Sequence, residues 1–209
     1  MKKLLLTLFT LTLSLTSLFA NEAAVKETIS RDIKLAIDGK FAETLRYYTP
    51  DIVSIDMDQK RKLYYKDILL MSKGMDGKHP EEFMLMVFKA RSMKDPDPKQ
   101  EKAIRAYART EQFQLAYPRL CDMMTSFVKQ ASEIELKTMK FIKVEIRGDL
   151  ATVVVEYESL EVAKKELNVT IKRTSTHKLR KVNGVWKFYE RSSKKIPGKT
   201  ENTNAVLPM

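Results

Sequence analysis

The chain has 209 residues, 38 Lys and Arg against 27 Asp and Glu, a formal charge of +11, two histidines and one cysteine. A lone Cys121 excludes a scaffold stapled by internal disulfides, so stability must come from a hydrophobic core. With only His79 and His177, and neither Cys-x-x-Cys nor His-Glu-x-x-His, nothing supports a zinc site. Gly-x-Ser-x-Gly, P-loop and dinucleotide patterns are also missing.

Residues 1–20 read as an export signal. Lys2 and Lys3 form a basic start, Leu4 to Phe19 is uncharged and largely apolar, and Ala20 is a small residue suited to cleavage before Asn21. Leu18 departs from the small residue preferred there. An uncleaved anchor is the alternative, but the apolar run is shorter than the ~20 residues a bilayer needs. Lys2 and Lys3 carry two of the positive charges, leaving the mature chain near +9. In the periplasm or outside the cell, that charge points away from nucleic acid and toward anionic envelope material or acidic ligands. No block of five like charges occurs, so most of it is solvated surface.

In chain order, Val25, Ile29, Ile33, Ile37, Phe41, Leu45 and Tyr48 make one apolar stripe at helical spacing. Asp38-Gly39 marks a break, and Thr49-Pro50-Asp51 ends the helix. Ile52–Met57 and Arg61–Tyr65 read as a hairpin turning near Asp58, with Asp56 and Asp58 as turn residues. Asp67–Ser72 is a short helix, ended by Gly74 and Gly77. His79 is a surface or capping residue, and Pro80 opens a helix with Glu81 and Glu82 in its first turn. Lys99–Ala116 is helix-permissive, Pro118 is expected to interrupt, and Leu120–Ala131 forms a further helix holding Cys121 as a buried thiol. Cys121, Met123, Met124, Met84 and Met86 offer soft ligands for Cu(I), but at helical spacing they read as core filler.

Four β-rich runs follow: Leu136–Arg147, Asp149–Leu160, Asn168–Val182 and Val185–Ser193, the last two joined by Asn183-Gly184. Lys194–Met209 is polar and expected to be a disordered tail. This order resembles the nuclear transport factor 2-like, or cystatin-like, superfamily with its SnoaL-like and ketosteroid-isomerase-like branches, here as an exported bacterial member. The matching pieces are Phe41–Ile55 and Asn183–Ser193, with Gly-Val-Trp-Lys-Phe in the final strand. The resemblance implies an α+β cone over residues 21–195, in which a curved antiparallel sheet of four main strands plus a small hairpin wraps around helices and leaves a pocket. Residues 75–133 are longer than the usual linking helix and would lid the pocket, fill it or build an interface. By the same analogy a homodimer is expected. Such a fold does not decide function.

Counting outward from a two-residue Asn183-Gly184 turn, Leu179 faces Phe188, His177 faces Glu190, Ser175 faces Ser192 and Lys181 faces Trp186. Side chains alternate along a strand, so Trp186, Phe188 and Glu190 share a face, and an inward Trp186 brings His177 and Glu190 inward with it. A His–carboxylate pair in an apolar cavity can act as a general base; it can equally brace the sheet rim. A one-residue slip would turn the set outward. Tyr157 and Arg173 are candidate donors to an anionic or carbonyl ligand, with Ser175, Trp186 and Phe188 completing the expected pocket; otherwise Tyr157 and Arg173 cover the core edge. The leading expectation is a non-catalytic exported binding module, needing no cofactor or metal, for a small amphipathic or anionic ligand or an envelope protein. The alternatives are a cofactor-free lyase or isomerase using His177 and Glu190, and a structural envelope protein whose pocket is filled.

Overall fold

The computed structural model describes residues 2–92, 94–162 and 168–201. The helices are α1 (Lys2–Ile37), α2 (Phe41–Thr44), α3 (Tyr65–Gly74), α4 (Pro80–Ser92), α5 (Pro98–Ala108) and α6 (Glu111–Thr138). The strands are β1 (Tyr48–Asp56), β2 (Arg61–Tyr64), β3 (Lys140–Arg147), β4 (Leu150–Val162), β5 (Asn168–Val182) and β6 (Val185–Glu201). They form one six-stranded sheet in the order β2-β1-β6-β5-β4-β3. Only β1 and β6 run parallel; the other neighbours are antiparallel. Asn183 and Gly184 adopt φ of 50° and 79°, the paired positive values that a two-residue hairpin turn requires.

The apolar stripe of α1 buries Val25, Ile29 and Ile33 against Val153, Val155, Leu179, Trp186 and Phe188 of the sheet. The helix stops at Ile37, and Gly39 takes φ of 70° to redirect the chain into α2, as the Asp38-Gly39 break implies. Residues 75–133 build a second core of their own, from Met75, Phe83, Met86, Ala108, Phe113, Tyr117 and the buried Cys121. Gly74 lets α3 and α4 close on each other: a Cβ there would lie 3.0 Å from the Cα of Phe83. Among the described residues no helix is long and apolar enough to cross a membrane.

Several boundaries differ from the sequence reading. β1 begins at Tyr48 and runs through Pro50, where a helix was expected to end, and the expected Lys99–Ala116 helix is parted at Arg109 and Thr110. Pro118 does not interrupt; α6 runs through it. The helix starts earlier, at an N-cap on Thr110, and Phe113, Tyr117 and Cys121 anchor it at four-residue intervals. Pro118 itself is exposed, so the carbonyl it leaves unpaired meets water. Leu136 lies in the last turn of α6 rather than in a strand. The expected tail does not begin at Lys194, because β6 continues to Glu201 and pairs Lys194 with Thr174 and Lys195 with Arg173. The polar composition misled there: β5 reaches back to Asn168, and its backbone groups need a partner strand. Residues 202–209 lie outside those described.

Trp186 is 2% exposed and belongs to the main core. Trp186→Ala should cost roughly 3–5 kcal/mol in urea denaturation followed by circular dichroism. A loss below about 1 kcal/mol would contradict this packing.

Candidate functional site

The site depends on a bulge in β6. From the turn, the pairs Val182–Val185, Lys181–Trp186 and Leu179–Phe188 follow the expected register, but the next pair is Lys178–Glu190. Tyr189 is the extra residue, and a bulge of this kind shifts the following side chains by one, here as far as Lys195. His177 therefore pairs with Arg191, Thr176 with Ser192 and Ser175 with Ser193. The neighbouring strand is irregular at the same level: the β1–β6 register shifts between Tyr48 and Val53, across Pro50, and Thr49 Oγ1 donates to the Phe188 carbonyl at 3.1 Å.

The expected His177–Glu190 pair is consequently not formed. Glu190 is on the outer face, in a 2.9 Å ion pair with Lys178. His177 does point inward; it is 1% exposed, its ring lies 5.6 Å from that of Phe188, and neither ring nitrogen has a hydrogen-bond partner. Burial, with Arg191 adding to it, pushes the imidazole well below its usual pKa and keeps it neutral.

Arg191 takes the inward position instead. Its Nη1 donates to Tyr48 Oη at 2.8 Å and to Asp32 Oδ2 at 3.2 Å, and Tyr48 Oη donates to the same Asp32 Oδ2 at 2.8 Å. The guanidinium also lies 5.0 Å from the centre of the Phe188 ring. Asp32 projects from α1 and is only 6% exposed. Burial raises its carboxyl pKa, opposed by Arg191 and Tyr48. Burial likewise works against the Arg191 charge, but Tyr48, Asp32 and Glu135 outweigh it and hold its pKa above the usual value.

This cluster forms the polar end of a cavity of about 380 Å³ between α1, α2, α3, α6 and the β2-β1-β6 side of the sheet. The rest of the wall is largely apolar, with Ile33, Ala36, Phe41, Ile68, Met71 and Val128. Glu135 of α6 also lines it, and burial raises its carboxyl pKa, with Asp32 reinforcing the shift and Arg191 and Arg173 opposing it. Sequence reasoning missed Asp32, Tyr48, Glu135 and Arg191. Asp32 carried a readable signal, an acid beside the apolar stripe of α1; the other three show only once the bulge and the path of α6 are known.

The remaining expected site residues lie elsewhere. Trp186 and Phe188 are core residues and do not line the cavity. Tyr157 Oη and Ser175 Oγ are hydrogen-bonded to each other at 3.0 Å. Arg173 Nη2 bonds Asp56 at 3.1 Å, Asp58 at 3.2 Å and Ser193 at 3.3 Å, tying the hairpin tip to β5 and β6. Asp56 also caps its turn, accepting from Asp58 and Gln59. His79 bonds Asp76 at 2.7 Å in an exposed turn. Among the described residues no three His, Cys, Asp or Glu side chains converge in a way that could hold a metal ion.

A meander of β3 to β6 beside a small hairpin, cupped around α1 with a cavity beneath, decides the architecture. The fold is α+β, a curved open six-stranded sheet packed on helices, the order of elements that the resemblance implied. Solved structures similar to this chain include a protein from Novosphingobium aromaticivorans described as ntf2-like with a cystatin-like fold. It shares 10% identity at a TM-score of 0.47, over 89% of this chain and 88% of that one. A ketosteroid isomerase-like protein from Erwinia carotovora atroseptica shares 12% identity at a TM-score of 0.44, over 84% of this chain and 96% of that one. An NTF-2 like protein of unknown function from Shewanella oneidensis shares 10% identity at a TM-score of 0.43, over 83% and 98%. No protein-family model matches the sequence, and no curated protein matches it.

Two measurements check the site. Arg191→Met should cost roughly 3–5 kcal/mol, because it leaves Asp32 buried without its cation, whereas Glu190→Gln should change stability by about 0.5 kcal/mol or less. The reverse order in urea melts would restore the unbulged register. His177 titrates with the opposite sign to the raised carboxyls. Its folded pKa is depressed, so its contribution is complete above pH 6.5 and is lost as pH falls below that value. Wild-type stability relative to His177→Leu should therefore drop by up to about 1.4 kcal/mol per pH unit on acidification, until the folded pKa is reached. A pH-independent difference would mean that the imidazole is not held neutral.

Proposed function

We propose that this protein is an exported binding module that holds a small amphipathic ligand in the cavity beneath its sheet. The observation that carries this reading is the cavity itself: about 380 Å³, apolar over most of its wall, with Asp32, Tyr48, Glu135 and Arg191 gathered at one end. Ligand pockets commonly combine such a volume with a few convergent polar groups. A scaffold with a filled cone would instead pack this space with its own methionine and phenylalanine side chains. The cost of keeping Asp32 out of water also needs a reason, since an apolar residue there would stabilise the fold more cheaply.

Export rests on residues 1–20, and cleavage before Asn21 would leave α1 beginning at its first core-facing turn. The N-terminus of protein isolated from its host should lie near Asn21; material retaining Met1 would refute cleavage. Binding is tested with a neutral environment-sensitive fluorophore, N-phenyl-1-naphthylamine. Its emission should rise with wild-type protein and be lost with Ala36→Phe, which fills the cavity from α1 while leaving circular dichroism unchanged. Equal emission from both proteins would disconnect the cavity from binding.

Glu135 favours a second reading. A carboxyl with a raised pKa beside a tyrosine and an arginine can move a proton on a bound ligand, as in a cofactor-free lyase or isomerase. In that case Glu135→Gln should leave binding intact and reduce turnover by roughly 10²–10⁴-fold.

A further inference from the structure

One end of the sheet carries an unbalanced row of cations. β3 and β4 turn at Gly148-Asp149, and β5 and β6 at Asn183-Gly184. The Lys181 N–H donates to the Asp149 carbonyl at 2.8 Å, so the two hairpin tips lie side by side. Residues directly opposed in a ladder share a face. Arg147 opposes Leu150, Leu150 opposes Arg180, and Arg180 opposes Lys187, which makes one continuous row across β3, β4, β5 and β6. Arg180 stands two residues from the outward Lys178, so the row is on the outer face. The next row away from the tips is not cationic: it reads Glu145, Thr152, Lys178 and Glu190. In the tip row Arg180 is paired with Asp51, but neither Arg147 nor Lys187 makes an ion pair among the described residues. Asp51 and Asp149 thus answer only part of the charge of Arg147, Arg180, Lys181 and Lys187. Like charges directly opposed destabilise a ladder, so Arg180 against Lys187 is a cost the fold carries.

Two aliphatic side chains stand at the same tips. Leu150 is 52% exposed and Val185 is 47% exposed. A single exposed aliphatic residue is ordinary. These two occupy adjacent turns and sit among cations that lack partners. The path of α1 is a separate observation. Lys181 Nζ donates to Asn21 Oδ1 at 3.3 Å beside the tips, whereas Asp32 meets Arg191 farther down β6. α1 therefore runs away from the tips, and the part of it before Asn21 extends past them. The uncharged run Leu4–Phe19 thus leaves the domain at the end that holds the cationic row and both aliphatic residues.

We propose that the hairpin-tip end is a docking surface for an anionic lipid membrane, with Arg147 and Lys187 meeting the headgroups and Leu150 and Val185 entering the headgroup region. A membrane that holds the apolar run during export lies at this end of the domain, and its negative surface is the complement of the unpaired cations. Basic side chains around exposed apolar ones are the combination that interfacial binding uses. This surface lies apart from the cavity. It rests on the export reading of residues 1–20 alone, whose failure would show as retained Met1 and not in vesicle binding.

The test is co-sedimentation of the chain from Asn21 onward with two kinds of vesicle, phosphatidylcholine alone and phosphatidylcholine mixed equally with phosphatidylglycerol. The mixed vesicles should bind at least about tenfold more tightly, and about 0.5 M salt should remove most of that advantage. Arg147→Glu with Lys187→Glu should weaken binding to the mixed vesicles by about tenfold or more. Lys102→Glu with Lys129→Glu makes the same change in net charge on exposed positions of α5 and α6, and should leave binding near the wild-type level. A second arm keeps every cation. An environment-sensitive NBD label on Val185→Cys should shift to the blue with mixed vesicles, and the same label on Lys102→Cys should not; the native Cys121 is buried. Equal binding to both vesicles, or to neither, overturns the proposal. So does equal loss from the two charge-reversed pairs, which would reduce the effect to overall charge, and so does an unshifted label at position 185.

Discussion

A carboxylate on the buried side of the first helix governs this structure. Asp32 sits one residue before Ile33, as the one charged side chain among the described buried residues of α1. Removing a carboxylate from water costs several kcal/mol unless a cation and hydrogen bonds accompany it. Arg191 and Tyr48 meet that demand from two adjacent strands, β6 and β1. For Arg191 to reach inward, β6 must break its alternation after Phe188. Ion pair, bulge and the irregular crossing of β1 at Pro50 are thus parts of one arrangement, and the cavity opens where they meet.

Much of the architecture was legible from local chemistry. The Asn183-Gly184 turn, the Gly39 break, the Pro80 helix start and the β5 boundaries all follow from residues with strong backbone preferences. The burial of Trp186, Phe188 and Cys121 followed from periodicity. Pro118 misled because a proline's local penalty can be outweighed by the burial of Phe113, Tyr117 and Cys121 along one side of the same helix. Lys194–Glu201 misled because strand formation there is imposed by the neighbouring β5 and not by composition.

The candidate site was less legible, for a physical reason. Counting from the turn holds only while the ladder is regular, and a single unpaired residue ends that. Up to Phe188 the count was right; beyond it His177 and Ser175 still face inward, but their β6 partners Glu190 and Ser192 were assigned to the wrong face. Glu135 was obscured differently. Its strand-like neighbourhood at Leu136–Thr138 concealed the end of a long helix, whose path depends on packing against both α1 and the sheet.

The bulge at Tyr189 has a consequence for how related chains are compared. The polarity at the cavity end is encoded by the number of residues between the turn and the site as much as by their identity. A single-codon deletion at Tyr189 would make the ladder regular and leave Arg191 opposite His177, whereas flattening the bulge with Tyr189 retained would bring Glu190 there instead. Ungapped matching of final strands would therefore pair an inward arginine with an outward glutamate and report divergence where the sites agree. Relatives of this chain are better aligned on the acid of the first helix and the cation that answers it.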